Sequence, residues 1–253
     1  MQERLEAEGF VLVKSVIGED ECKEIKEKII NEQSTLPHMA HSDIVWQLRT
    51  DPRITDIFEH IWETSDLVVG FDGVGHRKKS ERGFALPWHV DQDESHPDGV
   101  QCYQSILAIE PSNEQTGTIC VLPKSHKHHK ALAKRLGDGS GGWEFLQLPK
   151  NDRIFRQCLP PIPVQLQVGD LFIWDSRTAH RVTKPQNTRT ERMVVYLSYV
   201  PRSFCSDATR KQRLHAYRHG ISSTHWPHRF VDRGDTPYGV REIDHFPIRL
   251  KLV

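Results

Sequence analysis

The sequence predicts a mainly-β sandwich or barrel covered by helices. From about residue 67 onward, short apolar runs alternate with turn residues, the pattern of strands in such an architecture. The segment before it carries two amphipathic helical stripes, and 253 residues can bury one sizeable core as a single domain.

Taken in order, the first helical stripe opens on Gly18-Glu19-Asp20-Glu21, which places acids in a first turn. Cys22, Ile25 and Ile29 then share one face, with Lys23, Lys26 and Lys28 around it. The second begins at Asp51-Pro52, a capping side chain followed by a proline tolerated at the first helical position. It carries Ile54, Ile57, Phe58, Ile61 and Trp62. Both helices are expected to cover one sheet face, and the stretch between them, with His38, His41 and Trp46, is expected to be a lid over the barrel mouth.

Runs of strand length follow at 67–71, 105–109, 118–122 and 193–197. Residues 164–168 alternate at period two, and Gly169-Asp170 turns the chain into Leu171-Phe172-Ile173-Trp174. The basic knot of Lys124, His126, Lys127, His128, His129 and Lys130 reads as a solvated turn, and 137–142 as a flexible loop. A basic helix is expected from Ala208 to Arg218, in an extension that closes the open end of the barrel. The organisation expected is one domain over 1–253, with a mainly helical cover at 1–66, the β core at 67–202 and a C-terminal extension at 203–253.

Composition removes several functional classes. The formal net charge is zero, so no global field draws the chain to nucleic acid or an acidic membrane. The N-terminus lacks the apolar core of a signal peptide and no later stretch spans a bilayer, so a cytoplasmic protein is expected. Five cysteines, an odd count without a C-x-x-C pair, indicate reduced and mostly buried thiols.

The chemistry concentrates in His89-Val90-Asp91. On a strand, side chains at i and i+2 share a side, so His89 and Asp91 can converge on one ion while Val90 packs the other way. His180, just beyond the apolar run 171–174, can face the same cavity from another strand. Two imidazoles and one carboxylate hold a divalent metal on one face and leave the opposite positions open, which suits non-haem Fe(II) oxygen chemistry. The polar, glycine-containing segment 72–86 just before these residues is the candidate substrate-facing loop. Trp88 and Trp174, which flank the ligands, read as barrel core.

Three ordered segments, Trp88-His89-Val90-Asp91, 116–126 (Thr-Gly-Thr-Ile-Cys-Val-Leu-Pro-Lys-Ser-His) and 168–180 (Val-Gly-Asp-Leu-Phe-Ile-Trp-Asp-Ser-Arg-Thr-Ala-His), resemble the signature segments of the phytanoyl-CoA dioxygenase family. Glu8-Gly9-Phe10-Val11-Leu12-Val13 resembles its beginning, and the resemblance runs from near residue 5 to about 202. It implies a double-stranded β-helix (jelly-roll) core with flanking N- and C-terminal helices, using Fe(II), 2-oxoglutarate and O2. It places the metal ligands on His89, Asp91 and His180 and the cosubstrate arginine on Arg192, with Arg189 as runner-up. A guanidinium suits that task because its planar fork holds a carboxylate through two parallel bonds. Gln104 matches an inward-facing glutamine of the family that lines the cosubstrate pocket; a polar residue on a half-wet strand is the other reading.

Two departures stand out. Family members often carry a small hydroxyl residue two positions after the distal histidine, where this chain has Val182. Their Pro-Gly-Ser-His is here Pro123-Lys124-Ser125-His126, so a turn that glycine makes easily must accept lysine. Asp91 also leaves no ready site for a halide, which argues against halogenation.

The resemblance implies a dioxygenase hydroxylating a small-molecule or lipid-like metabolite, with release of succinate and CO2. The alternatives are a jelly-roll metal enzyme that does not use 2-oxoglutarate, and a non-catalytic metal-binding or sensing module. Oligomeric state is left open by the sequence.

Overall fold

Alternation of side chains on the strands decides the architecture. In the computed structural model, which describes residues 1–33, 39–93, 99–137, 145–231, 249 and 251–253, two antiparallel sheets face each other. The first has the order β1 (Phe10–Val13), β9 (Leu171–Asp175), β5 (Tyr103–Ala108), β11 (Arg192–Pro201) and β2 (Leu67–Val69), with β3 (Val74–Arg77) also on β11. The second has the order β7 (Leu146–Gln147), β4 (Leu86–Val90), β10 (His180–Val182), β6 (Ile119–Val121) and β8 (Ile162–Pro163). Two facing antiparallel sheets of this kind form the jelly-roll core, with helices flanking it.

Odd and even positions of the first sheet go to different places. Leu107, Leu171, Ile173, Met193 and Val195 face the helices, whereas Ile106, Ala108, Phe172, Trp174 and Val194 face the second sheet. Each such buried side chain contributes about 1.5–3 kcal/mol relative to exposure. The helical layer is α1 (Gln2–Glu8), α2 (Glu19–Gln33), α3 (Asp43–Arg49) and α4 (Pro52–Trp62). Both anticipated helices lie where the sequence puts them. Cys22, Ile25 and Ile29 of α2 and Ile54, Phe58 and Ile61 of α4 are buried against the one sheet face. Asp51 caps α4 by accepting the Arg53 N–H at 2.9 Å.

On the outer side of the second sheet, α5 (His129–Leu136) and α6 (Ile154–Gln157) cover Val90, Leu122, Leu146 and Leu148. The C-terminal α7 (Asp207–His219) matches the expected basic helix and ends at Gly220 in the left-handed conformation, φ 65°. No helix among the described residues is long and apolar enough to cross a membrane.

Four expectations need correction. Residues 164–168 are not a strand. Pro163 has no N–H to extend its ladder, and Leu166 makes an isolated bridge to Ser112, so the alternation is real but its partner is a loop. The stretch around His41 and Trp46 is not a lid: both are fully buried, with their rings against Phe71 and Tyr217. His38 and residues 138–142 lie outside the described residues. The basic knot is only partly a solvated turn: Lys127 and Lys130 are exposed, but His126 and His129 are buried, each donating its Nε2–H to a backbone carbonyl, of Glu6 and Gln92. Finally, the segment 72–86 includes strand β3 and is only partly loop.

Candidate metal centre

Register brings the two histidines together. His89 on β4 and His180 on β10 are direct cross-strand partners, and their ring centroids lie 4.2 Å apart. Asp91 follows one residue after β4, where its N–H and that of Gln92 both donate to the Ser176 carbonyl, at 3.2 and 3.1 Å. Val90 between them packs outward, as the alternation of a strand requires. One ligand atom from each of His89, Asp91 and His180 falls within a set no more than 4.8 Å across, and all three residues are buried.

Both imidazoles are held in the same tautomer. Nδ1 of His89 donates to the Pro87 carbonyl at 2.7 Å and Nδ1 of His180 to the Thr178 carbonyl at 2.9 Å. That leaves each Nε2 lone pair pointing at the Asp91 carboxylate, 3.7 Å from Oδ1 and 3.5 Å from Oδ2. Burial, with His180 beside it, pushes His89 down to about 4, so its ring is neutral. For Asp91, burial works upward but is outweighed by His180, His225 and His89 and by the Gln104 bond, and its carboxyl is held below the usual range. Neutral imidazoles and an ionised carboxylate are the protonation states a divalent cation needs. The donor set therefore fits a three-ligand site with open positions on the cavity side.

Those open positions give onto a cavity of about 530 Å3. Gln104 and Arg192 both line it. Gln104 is buried, not half-wet, and its Nε2 donates to Asp91 Oδ2 at 2.6 Å, which fixes the carboxylate. Arg192 gives its Nε–H to Ser112 Oγ at 2.8 Å, and its terminal nitrogens have no acceptor among the described residues. Arg189 is exposed in the preceding loop and does not line the cavity. Val182 does line it, while the Thr183 hydroxyl is spent on the backbone of Thr118.

The rest of the wall is mostly apolar, with Phe84, Leu86, Ile106, Ile119 and Phe145. Trp174 belongs to this wall as well as to the inter-sheet core, whereas Trp88 lies outside the cavity beneath Arg181 and beside Phe155. The sequence reading missed Tyr196 and His225, whereas Asp72, Phe84 and Leu86 come from the segment 72–86 that it expected to face the substrate. Tyr196 was legible as the residue four after Arg192 on the same strand face. His225 sits in an extension with no periodic pattern, so nothing in the sequence pointed to it. Trp174 Nε1 and His225 Nε2 are buried without a hydrogen-bond partner among the described residues.

Comparison with known proteins places these observations. The family described as Phytanoyl-CoA dioxygenase matches residues 28–193. The chain is 27% identical over 208 residues to Ava biosynthesis cluster protein O of Aspergillus versicolor; the match covers 76% of this chain and 66% of that protein's length, just under two thirds. The fold is shared with the epimerase SnoN, solved with Fe3+, alpha-ketoglutarate and nogalamycin RO, at TM-score 0.61 and 17% identity over 79% of this chain and 81% of that one. It is shared also with EctD from S. alaskensis, solved with 2-oxoglutarate and 5-hydroxyectoine, at TM-score 0.60 and 12% identity over 80% and 75%.

Proposed function

The chain belongs to the phytanoyl-CoA dioxygenase family, and from that premise we propose that it is an Fe(II)- and 2-oxoglutarate-dependent oxygenase that hydroxylates a small-molecule or lipid-like metabolite. The observation that carries this is the juxtaposition of the buried His89, Asp91 and His180 donors with the Arg192 guanidinium, held through Nε by Ser112, in one cavity. His89, Asp91 and His180 hold the metal, and Gln104 keeps the Asp91 carboxylate turned toward it. Arg192 takes the distal carboxylate of 2-oxoglutarate. Iron with the keto acid and O2 supplies an oxidant able to break a substrate C–H bond, so that substrate, 2-oxoglutarate and O2 become hydroxylated substrate, succinate and CO2.

Around that centre the chain excludes water with hydrocarbon and aromatic walls and offers few charges to a substrate. A volume of about 530 Å3 falls in the range of small-molecule pockets. Apart from Arg192, no lysine or arginine among the described residues lines the cavity, which favours a substrate without an anionic group near the reacting carbon. The unpartnered Trp174 and His225 ring nitrogens are polar groups that such a substrate's oxygen can satisfy. The five cysteines, all free, suit a reducing compartment such as the cytoplasm.

Anaerobic titration of the metal-free protein with Fe(II), with and without 2-oxoglutarate, tests the reading through the weak visible charge-transfer band of an iron-chelated keto acid. The band is expected in the wild type, and Arg192→Ala is expected to need at least tenfold more 2-oxoglutarate for the same intensity. Iron binding without a band at any 2-oxoglutarate concentration would leave the metal enzyme that does not use this cosubstrate, or the sensing module, as the better account.

A further inference from the structure

Beside the histidine cluster the main cavity opens into a second of about 120 Å3. Four residues line both: Phe84, Val182, Arg192 and Tyr196. Phe84 and Val182 are hydrocarbon, so polar recognition at the neck falls to Arg192 and Tyr196. These two stand at i and i+4 on β11 and share a face, about 13 Å apart at the backbone by strand geometry. A bound carboxylate can span part of that gap if the Tyr196 side chain reaches back along the strand.

That reach is visible at Gly75. A β-carbon there would lie 2.6 Å from the Tyr196 hydroxyl oxygen and 3.0 Å from two of its ring carbons. Gly75 is the cross-strand partner of Val194, which lies between Tyr196 and Arg192, so the phenol lies back along the strand toward the guanidinium. The glycine provides the bed on which it rests. Neither polar end is used up among the described residues: the terminal nitrogens of Arg192 have no acceptor there, and the Tyr196 hydroxyl makes no hydrogen bond to them. On the facing strand Val182 has no polar atom, and the Thr183 hydroxyl both donates to the Thr118 carbonyl at 3.1 Å and accepts the Thr118 N–H at 3.1 Å.

We infer that the Tyr196 hydroxyl is the second anchor of the cosubstrate's distal carboxylate, donating to one oxygen while the Arg192 fork supplies the charge. The inference rests on the oxygenase reading above. It explains how position 182 can be apolar: the hydroxyl at this neck comes from β11 and is held in place by a glycine on β3. A hydrogen bond to a charged acceptor contributes more than a neutral one, enough for at least a tenfold change in affinity.

The test compares two keto acids by the same Fe(II) charge-transfer band. 2-Oxoglutarate has the distal carboxylate and pyruvate lacks it. Tyr196→Phe is expected to raise the apparent Kd for 2-oxoglutarate about tenfold or more and to leave that for pyruvate unchanged. Gly75→Ala, which displaces the phenol without removing its hydroxyl, should act in the same direction, and adding Val182→Ser to Tyr196→Phe should recover part of the loss. An unchanged Kd for 2-oxoglutarate in Tyr196→Phe overturns the inference while the oxygenase reading stands. An equal loss for both keto acids also overturns it, since the phenol would then serve the site as a whole. Absence of the band from the wild type with either acid overturns the oxygenase reading and this inference with it.

Discussion

His89 and His180 each commit Nδ1 to a backbone carbonyl within their own strand region, so the direction of their Nε2 lone pairs is set before any ion arrives. That preorganisation has an acid cost. A base whose folded pKa lies below its unfolded value is protonated first in the unfolded chain, so stability is full above about pH 6.5 and is lost as pH falls toward the folded value. With His89 at about 4, the metal-free protein should lose about 3 kcal/mol between pH 6.5 and 4. Urea titrations of chelator-treated wild type and His89→Gln across that window measure it, and an unchanged slope in the variant would assign the acid sensitivity elsewhere. Lys124 makes the opposite kind of prediction. Its φ of 66° confirms that the turn before the buried Ser125 takes a left-handed residue, the strain anticipated from its lysine. Lys124→Gly should relieve about 1–2 kcal/mol of strain against about 0.5–1 kcal/mol of added chain entropy, a net gain of up to about 1.5 kcal/mol that urea titration reads as a midpoint at higher urea. At this scale the meeting of His89 and Asp91 was legible because strand alternation makes them face together, whereas His180 joins them only through the pairing of β10 with β4. Trp174 was read only as core because a strand-end aromatic can face the cavity and the core at once.

Elements were legible where periodicity and capping agreed. Asp51-Pro52 and the stripe through Phe58 gave α4 its start and its buried face, and the runs at 105–109 and 193–197 lie in β5 and β11. They were illegible where burial came without a strand partner, as at 164–168, or where a short helix such as α5 was built largely from residues that read as basic. His41 and His129 are examples: each is buried because its ring nitrogen meets a backbone carbonyl, of Ile221 and Gln92, that lies far away in sequence. The turn at Gly169 was read correctly, but its role in docking elements was not visible. Its φ is 82°, and its carbonyl accepts the N–H groups of Val16 and Ile17, so the segment entering α2 is pinned to the start of β9. A β-carbon at Gly169 would lie 1.9 Å from the Ile17 carbonyl oxygen, a backbone atom that cannot swing aside. Gly169→Ala should therefore combine left-handed strain with a forced separation of these two segments and cost at least about 3 kcal/mol. A melting temperature within a few degrees of wild type would show that the docking is softer than this.

Among the groups that bind the C-terminal extension to the whole is a buried cation. Arg213 on α7 is 1% exposed and donates to the carbonyls of Val69, Pro227, Leu252 and Val253, with its guanidinium 4.3 Å from the Phe71 ring centroid. Burial pulls it down to about 10, and its charge is answered by carbonyl dipoles and the aromatic face. Those four carbonyls belong to β2, to the segment just past His225 and to the chain's last residues, so one side chain joins the sheet, the cavity wall and the terminus. Replacing it with a residue of similar length and no donors leaves the carbonyls buried and unmet. Arg213→Met should thus cost about 3–5 kcal/mol, a large part of the 5–15 kcal/mol that a domain has in total. If 1–253 is one cooperative domain, the variant should still unfold in a single transition, shifted to lower urea, with tryptophan fluorescence and far-ultraviolet dichroism coincident. A first transition confined to part of the signal, followed by the wild-type one, would instead mean that the extension opens by itself. In that case His225 would line the cavity only in the fraction of molecules whose extension is docked.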